Sequence, residues 1–147
     1  MIHRLTISDL QTFREMLAVF AEAFEDPENY SAAPPSDAYV LSRIADPNFV
    51  ALVSKDGGRT VGALAAYVLR KFEQERAEVY IYDLAVASSH RRKGVATSLI
   101  QNLQKIASEI GAEVIFVQAD HGDDPAIALY ESLGVGADVM HFDIKVP

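Results

Sequence analysis

At 147 residues, half of them apolar, the chain has material for one domain with a sizeable core and too little for two. It contains no cysteine, which excludes disulfides, thiolate metal sites and a cysteine nucleophile. Thirteen basic against 21 acidic residues leave a formal charge of -8, which disfavours nucleic acid and anionic lipid as partners and favours cations wherever the acids gather near a site.

The opening residues Met1-Ile2-His3-Arg4-Leu5 lack the apolar run of a signal peptide. No window approaches the roughly 18 apolar residues of a membrane span, so a cytoplasmic protein is expected. A short strand is expected around Ile2 to Ile7. Ser8-Asp9-Leu10-Gln11 then offers a capping box, followed by Leu10, Phe13, Leu17, Phe20 and Phe24 at helical spacing. Residues 26–35, with three prolines, read as a loop of the kind that often lines sites. A shorter helix starts at Ser36 or Asp37 and stops before Asp46-Pro47. Phe49 to Val53, Asp56-Gly57-Gly58 and Val61 to Leu69 read as a hairpin, with a third strand from about Glu78 to Val86. Val95, Leu99, Leu103, Ile106 and Ile110 predict a helix closed by Gly111, and Val114 to Val117 a strand. Asp124-Pro125 caps a helix running to Gly134, and Val139 to Val146 alternates as a last strand. Alternating helices and strands throughout point to a mixed α and β domain.

The most informative segment joins the strand Tyr80 to Val86 to a basic loop, Arg91-Arg92-Lys93-Gly94, and then to a helix. The first amides of a helix have no internal partner and sit at the positive end of its dipole, so such a loop can wrap a pyrophosphate. Gly94 allows close backbone approach, and three cations that oppose the dipole make more sense with an anion bound. On the loop alone a solvated turn explains the segment equally well. It has neither Gly-x-Gly-x-x-Gly nor a Gly-Lys-Ser/Thr phosphate loop, which disfavours dinucleotides and ATP.

Arg91-x-x-Gly94-x-Ala96 after an apolar strand resembles the CoA pyrophosphate motif of the GNAT acetyltransferases. Ala126-x-x-Leu129-Tyr130-x-x-x-Gly134, beyond the next strand, is similar to that family's second signature. More narrowly, Val61 to Tyr67, Phe72-Glu73-Gln74, Tyr80 to Val86, Val117 to Pro125 and Val139 to Asp143 resemble the class I aminoglycoside 3-N-acetyltransferases of the gentamicin and fortimicin resistance type. The resemblance implies an α/β (α+β) GNAT fold over residues 1–147: a single mixed, mostly antiparallel central sheet flanked by helices. It implies acetyl-CoA as co-substrate and a cationic aminoglycoside as acceptor. The acetyl group would move to the 3-amino group by direct attack in a ternary complex, conferring resistance. Related acetyltransferases are often dimers, so a homodimer is compatible with the resemblance. A polyamine, an amino-acid derivative or a protein N-terminus would suit the same motifs, as would CoA binding without catalysis.

The resemblance also assigns roles. The backbone of Leu84, Ala85 and Val86 would pair with the pantetheine arm and hold the acetyl carbonyl. Arg91, Arg92, Lys93, Gly94, Val95, Ala96 and Thr97 would hold the pyrophosphate, with Ala126 beside the cofactor. Tyr130 would protonate the departing thiolate, a phenol near pKa 10 being protonated at neutral pH. Asp83 interrupts an apolar strand, so it should have either a bonding partner or a job as the base that takes the ammonium proton. Strict alternation would put Asp83 on the face opposite Leu84 and Glu78 on the face of Leu84, unless a bulge intervenes. Glu78, Tyr82, Asp120, Asp123 and Asp143 are the expected acceptor-binding residues, with His121 and His141 bordering the site. Asp124 competes as a helix cap. No two histidines have ligand spacing, and no metal is expected.

Overall fold

The computed structural model describes all 147 residues. Its elements are β1 (Ile2–Arg4), α1 (Leu10–Phe24), α2 (Pro27–Tyr30), α3 (Asp37–Ala45), β2 (Phe49–Asp56), β3 (Arg59–Arg70), β4 (Ala77–Val86), α4 (Val95–Glu109), β5 (Ala112–Val117) and α5 (Asp124–Glu131), with a 3-10 turn at Ser88–His90. The sheet order follows the chain, β1-β2-β3-β4-β5. The first four strands pair antiparallel and β5 lies parallel to β4, a reversal that needs the crossover helix α4. No helix is long and apolar enough to cross a membrane.

Two apolar layers hold the sheet. Phe13, Met16 and Phe20 of α1 and Val40 of α3 pack on Phe49, Ala51, Val53, Ala63, Ala65 and Ala85. On the other face Leu99, Ile100, Leu103 and Ala107 of α4 pack on Val50, Leu52, Leu64, Ala66, Val79 and Ile81. Adjacent residues of β2 and β3 thus bury opposite faces, which is why these strands read as continuous apolar runs. The β2–β3 turn puts Gly57 and Gly58 at φ +57° and +80°, the pair of left-handed residues that a tight hairpin turn demands. A Cβ on Gly62 of β3 would lie 2.6 Å from Val95 Cγ1, so α4 and the loop before it sit where only a glycine lets them.

The structure departs from the sequence expectations at four places. The capping box does not form. Asp9 precedes α1, but its carboxylate accepts the backbone N–H of Thr6 at 2.7 Å and pairs with His3 at 3.0 Å, closing the preceding turn instead. Within the loop 26–35 a single turn, α2, is fixed by Asp26 accepting from Asn29 N, with Pro27 in its first turn. Asp124 does not cap α5. Ile127 N already bonds to Asp123 O, so the helix begins one residue earlier, and Asp123 is the cap that accepts from Ala126 N. It stops at Glu131, where Leu133 and Gly134 N–H groups fold back on Tyr130 O. Finally, residues 139–146 form no strand and are exposed, and no strand of the same chain pairs with them.

Candidate active site

The site begins with an irregularity in β4. Asp83 pairs with Ala65 and Ile81 with Ala66, which leaves Tyr82 as one extra residue on β4, a β-bulge. The bulge resets the alternation. Val79 and Ile81 face α4, and so does Leu84, while Ala85 faces the α1 layer. Asp83 turns toward that layer, where it accepts from Tyr30. Glu78, two residues before Tyr80 and four before Tyr82, therefore shares the face of Asp83 and not that of Leu84, which corrects the strict alternation. Tyr82 makes T-shaped ring contacts there with Tyr67 and Tyr80, with centroids 5.8 and 5.9 Å apart. Tyr80 also stacks on Phe116 of β5 at 4.7 Å.

Past the bulge β4 and β5 separate. Their pairing ends at Ile81 with Val117, so the edge of β4 from Tyr82 to Val86 that faces away from β3 has no strand partner. The gap is a cleft of about 180 Å³ lined by Phe24, Ile81, Tyr82, Asp83, Leu84, Val117, Gln118, Ala119, Asp120, Asp123, Ala126 and Tyr130. Three of these twelve residues are carboxylates and none is a cation.

At the far end of the free β4 edge lies the basic loop. Arg92 and Gly94 both adopt positive φ, +59° and +78°. A left-handed non-glycine residue costs on the order of 1 to 3 kcal/mol, and such outliers gather at functional sites. Alternating hand along a short turn points successive N–H groups to one side and forms an anion-binding concavity. Gly94 is the N-cap of α4 and offers no side-chain acceptor to the first amides of the helix. A Cβ there would meet nothing within 4 Å, so the glycine serves conformation and open approach, not packing. Arg91 Nε donates to Val86 O at 3.3 Å, tying the loop to the end of β4, and His90 pairs with Asp56 at 2.8 Å, tying it to the hairpin. Uncapped amides, positive dipole and exposed Arg92 and Lys93 fit a diphosphate.

Two titratable groups in the cleft are shifted. Burial raises the Asp83 carboxyl above its ordinary range, while the Tyr30 hydroxyl, donating to it at 2.7 Å, pulls it partly back. Burial and the bond to Asp83 in turn raise the Tyr30 phenol, which stays a donor. Tyr130 is raised by burial and then by the charge of Asp123, so it is protonated well past neutral pH. The cleft thus holds a carboxylate of raised basicity and a phenol that keeps its proton, the two opposite demands of acyl transfer to an amine.

Of the residues singled out from sequence, the fold brings Tyr82, Asp83, Leu84, Asp120, Asp123, Ala126 and Tyr130 around one cleft. Ala85 and Val86 continue along the free edge to Arg91 through Thr97 at the start of α4. Two expected acceptor residues do not join them. Glu78 lies toward the other end of β4, opposite Leu69, and pairs with Lys71 at 3.5 Å. Asp143 is in the exposed segment after α5, paired with His141 at 2.8 Å and outside the cleft of its own chain. His121 is likewise exposed, 3.6 Å from Asp138. Tyr30, Phe24 and Gln118 belong to the site although sequence reasoning gave them no role in it. The Tyr30 ring packs tilted against Phe20 and Phe24, with centroids 5.8 and 5.7 Å apart, and Gln118 accepts from Tyr80 at 3.0 Å. Tyr30 sits in the proline-rich loop whose composition marked it as site-lining, and that was the available signal.

A family profile described as Acetyltransferase (GNAT) family matches residues 13–135, and the chain belongs to that family, whose acetyl donor is acetyl-CoA. Its whole length superposes on the crystal structure of aminoglycoside acetyltransferase HMB0005 from an uncultured soil metagenomic sample, with a TM-score of 0.98, 49% identity and coverage of 100% of this chain and 98% of that one. The aminoglycoside acetyltransferase meta-AAC0020, also from an uncultured soil metagenomic sample and solved in complex with sisomicin, gives a TM-score of 0.92 at 31% identity, covering 100% and 96%. An uncharacterized N-acetyltransferase of Bacillus subtilis (strain 168), YhfO, is 22% identical over 99% of this chain and 97% of its own. N-acetyltransferase family 8 member 2 of Rattus norvegicus is 24% identical over 65% of the chain, which spans 49% of that relative's length.

Proposed function

We propose that this acetyltransferase modifies an aminoglycoside antibiotic, at its 3-amino group, by direct attack in a ternary complex, and that resistance is the consequence. The observation that carries the reading is the cleft between β4 and β5, which sets three carboxylates and a tyrosine cluster, with no cation, beside a basic diphosphate cradle. Such a lining attracts a polycation and repels acidic acceptors. Two relatives above 30% identity bear the name aminoglycoside acetyltransferase, and one was crystallised with sisomicin, which supports the same acceptor class.

Acetyl-CoA supplies the acetyl group as a thioester. Arg92, Lys93 and the first amides of α4 hold its diphosphate, and the free edge of β4 from Leu84 to Val86 aligns the rest along the sheet. A backbone N–H from that edge stabilises the negative charge that develops on the carbonyl oxygen. Asp120 and Asp123 hold the cationic acceptor at the mouth. Asp83 binds the reacting ammonium, takes its proton and frees the lone pair for attack. As the carbon–sulfur bond breaks, Tyr130 delivers its proton to the sulfur; the second proton that the nitrogen sheds on becoming an amide restores the phenol through solvent, and Asp83 releases the first proton to solvent.

Thiol release measured with purified chain, acetyl-CoA and sisomicin is expected to be fast and saturable, and much slower with peptide N-termini. The apparent KM for sisomicin should rise with salt, because the acidic mouth captures the cation through a field screened over roughly 8 to 10 Å at physiological ionic strength. Turnover on peptides with inert aminoglycosides would overturn the acceptor assignment.

A further inference from the structure

The arm that carries Tyr30 to Asp83 is built more firmly than a connecting loop requires. α1 ends at Phe24, and Glu25 after it sits at φ +50°, ψ +40°, a left-handed conformation that a helix end ordinarily leaves to glycine. A larger residue persists there only when its surroundings over-determine it, and such strain gathers at functional sites. The N–H groups of Glu25 and Asp26 close back on Glu22 O at 3.3 Å and Ala21 O at 3.2 Å. Asp26 then caps α2, accepting from Asn29 N at 3.3 Å and from the Asn29 side-chain amide at 2.7 Å, while Pro27 fixes the first helical φ. Tyr30 ends that turn. Its ring is lodged against Phe20 and Phe24, and its hydroxyl meets Asp83 Oδ2, 53 residues further along the chain.

No other side chain bonds the Asp83 carboxylate. Its other oxygen, Oδ1, is left for the acceptor nitrogen. Tyr67 of β3 and Tyr80 and Tyr82 of β4 share its face, and burial first, then neighbouring groups that include Asp83, raise the phenols of Tyr67 and Tyr80, so they stay neutral. Across the cleft stand Asp120, Asp123 and Tyr130, and beside Tyr30 stands Asp26. Arg43 of α3 acts on Tyr67 and not on Asp83. The carboxylate is therefore steadied by a neutral donor alone. An arginine or lysine in place of Tyr30 would hold the same oxygen, but it would also repel an ammonium acceptor and weaken the base.

We propose that Tyr30 is the positioning residue of acetyl transfer, holding Oδ2 of Asp83 so that Oδ1 is aimed at the ammonium whose proton must leave. The proposal rests on the reading of Asp83 as the base. It makes the turn between α1 and α3 part of the catalytic machinery, with the strained Glu25 and the capped α2 serving to place one hydroxyl.

Tyr30→Phe removes that hydroxyl and keeps the ring against Phe20 and Phe24, and a thermal melt followed by circular dichroism checks that the fold is retained. With sisomicin and acetyl-CoA, kcat should fall by about ten- to a hundredfold, the scale that loss of alignment costs, while the Kd for acetyl-CoA stays at the parent value. The acid limb of kcat/KM, which reports the free base, should move to higher pH, because the lost donor favoured the charged carboxylate. A double-mutant cycle separates positioning from mere support of the loop. In an Asp83→Asn background the same substitution should lower kcat little further, since no base remains to be aimed. An equal loss in both backgrounds, or a parental kcat with an unmoved acid limb, overturns the proposal. If Asp83→Asn is inactive while Tyr30→Phe matches the parent, this inference alone falls; if Asp83→Asn is as active as the parent, the base assignment falls and takes the inference with it.

Discussion

Tyr130→Phe is expected to lower kcat for acetyl transfer by about two to four orders of magnitude, the range general acid catalysis contributes, while the Kd for acetyl-CoA stays close to that of the parent. The separation follows from where the hydroxyl sits. Tyr130 packs its ring on Leu99 and Leu103's layer under β5, and Phe keeps that packing. The hydroxyl lies in the cleft near Asp123, with its proton held by burial and by that negative charge. The diphosphate cradle is built from the loop after β4 and the start of α4, so loss of the phenol does not touch it. Titration of acetyl-CoA by calorimetry beside steady-state rates makes the comparison. A variant as active as the parent would end the assignment of Tyr130 as acid, and a matching loss of binding would make it a packing residue.

Asp83→Asn should separate activity from stability with opposite signs. The amide oxygen still accepts from Tyr30, so the local geometry is kept, but nothing remains to take the ammonium proton, and activity falls by about two to four orders of magnitude near neutral pH. The deficit should shrink as pH rises, because the amine then arrives already deprotonated. Stability moves the other way. The folded-state pKa of Asp83 lies above its ordinary value of about 3.9 because burial penalises the charge. Such a penalty is absent below the unfolded pKa, grows as pH rises toward the folded pKa and is full above it. Removing the charge should therefore raise Tm at neutral pH, with parent and variant converging as pH falls through the carboxylate range. A lower Tm for the variant at neutral pH would mean that Asp83 is there to hold the fold.

The basic loop and Asp83 were legible from the chain because each breaks a local rule. Three cations at a helix start oppose the dipole, and a carboxylate interrupts an apolar strand. What the sequence withheld depends on pairing between distant segments. The bulge at Tyr82 exists only in register with Ala65 and Ala66 of β3, and without it Glu78 was assigned to the wrong face. Tyr30 reaches Asp83 across 53 residues of chain, and nothing near either position announces the bond. The caps of α1 and α5 were misplaced because Asp9 and Asp123 chose between two nearby sets of N–H groups, a choice settled by turn geometry. Alternation at 139–146 records that one face is meant to be covered, but it does not say by what.

The most direct test of the central claim is to let the chain acetylate sisomicin with carbon-13 acetyl-CoA and locate the new amide by two-dimensional NMR. A single product whose labelled carbonyl couples to the proton on the carbon bearing the 3-amino group is the predicted result; a label on another nitrogen, or none on the antibiotic, would contradict it.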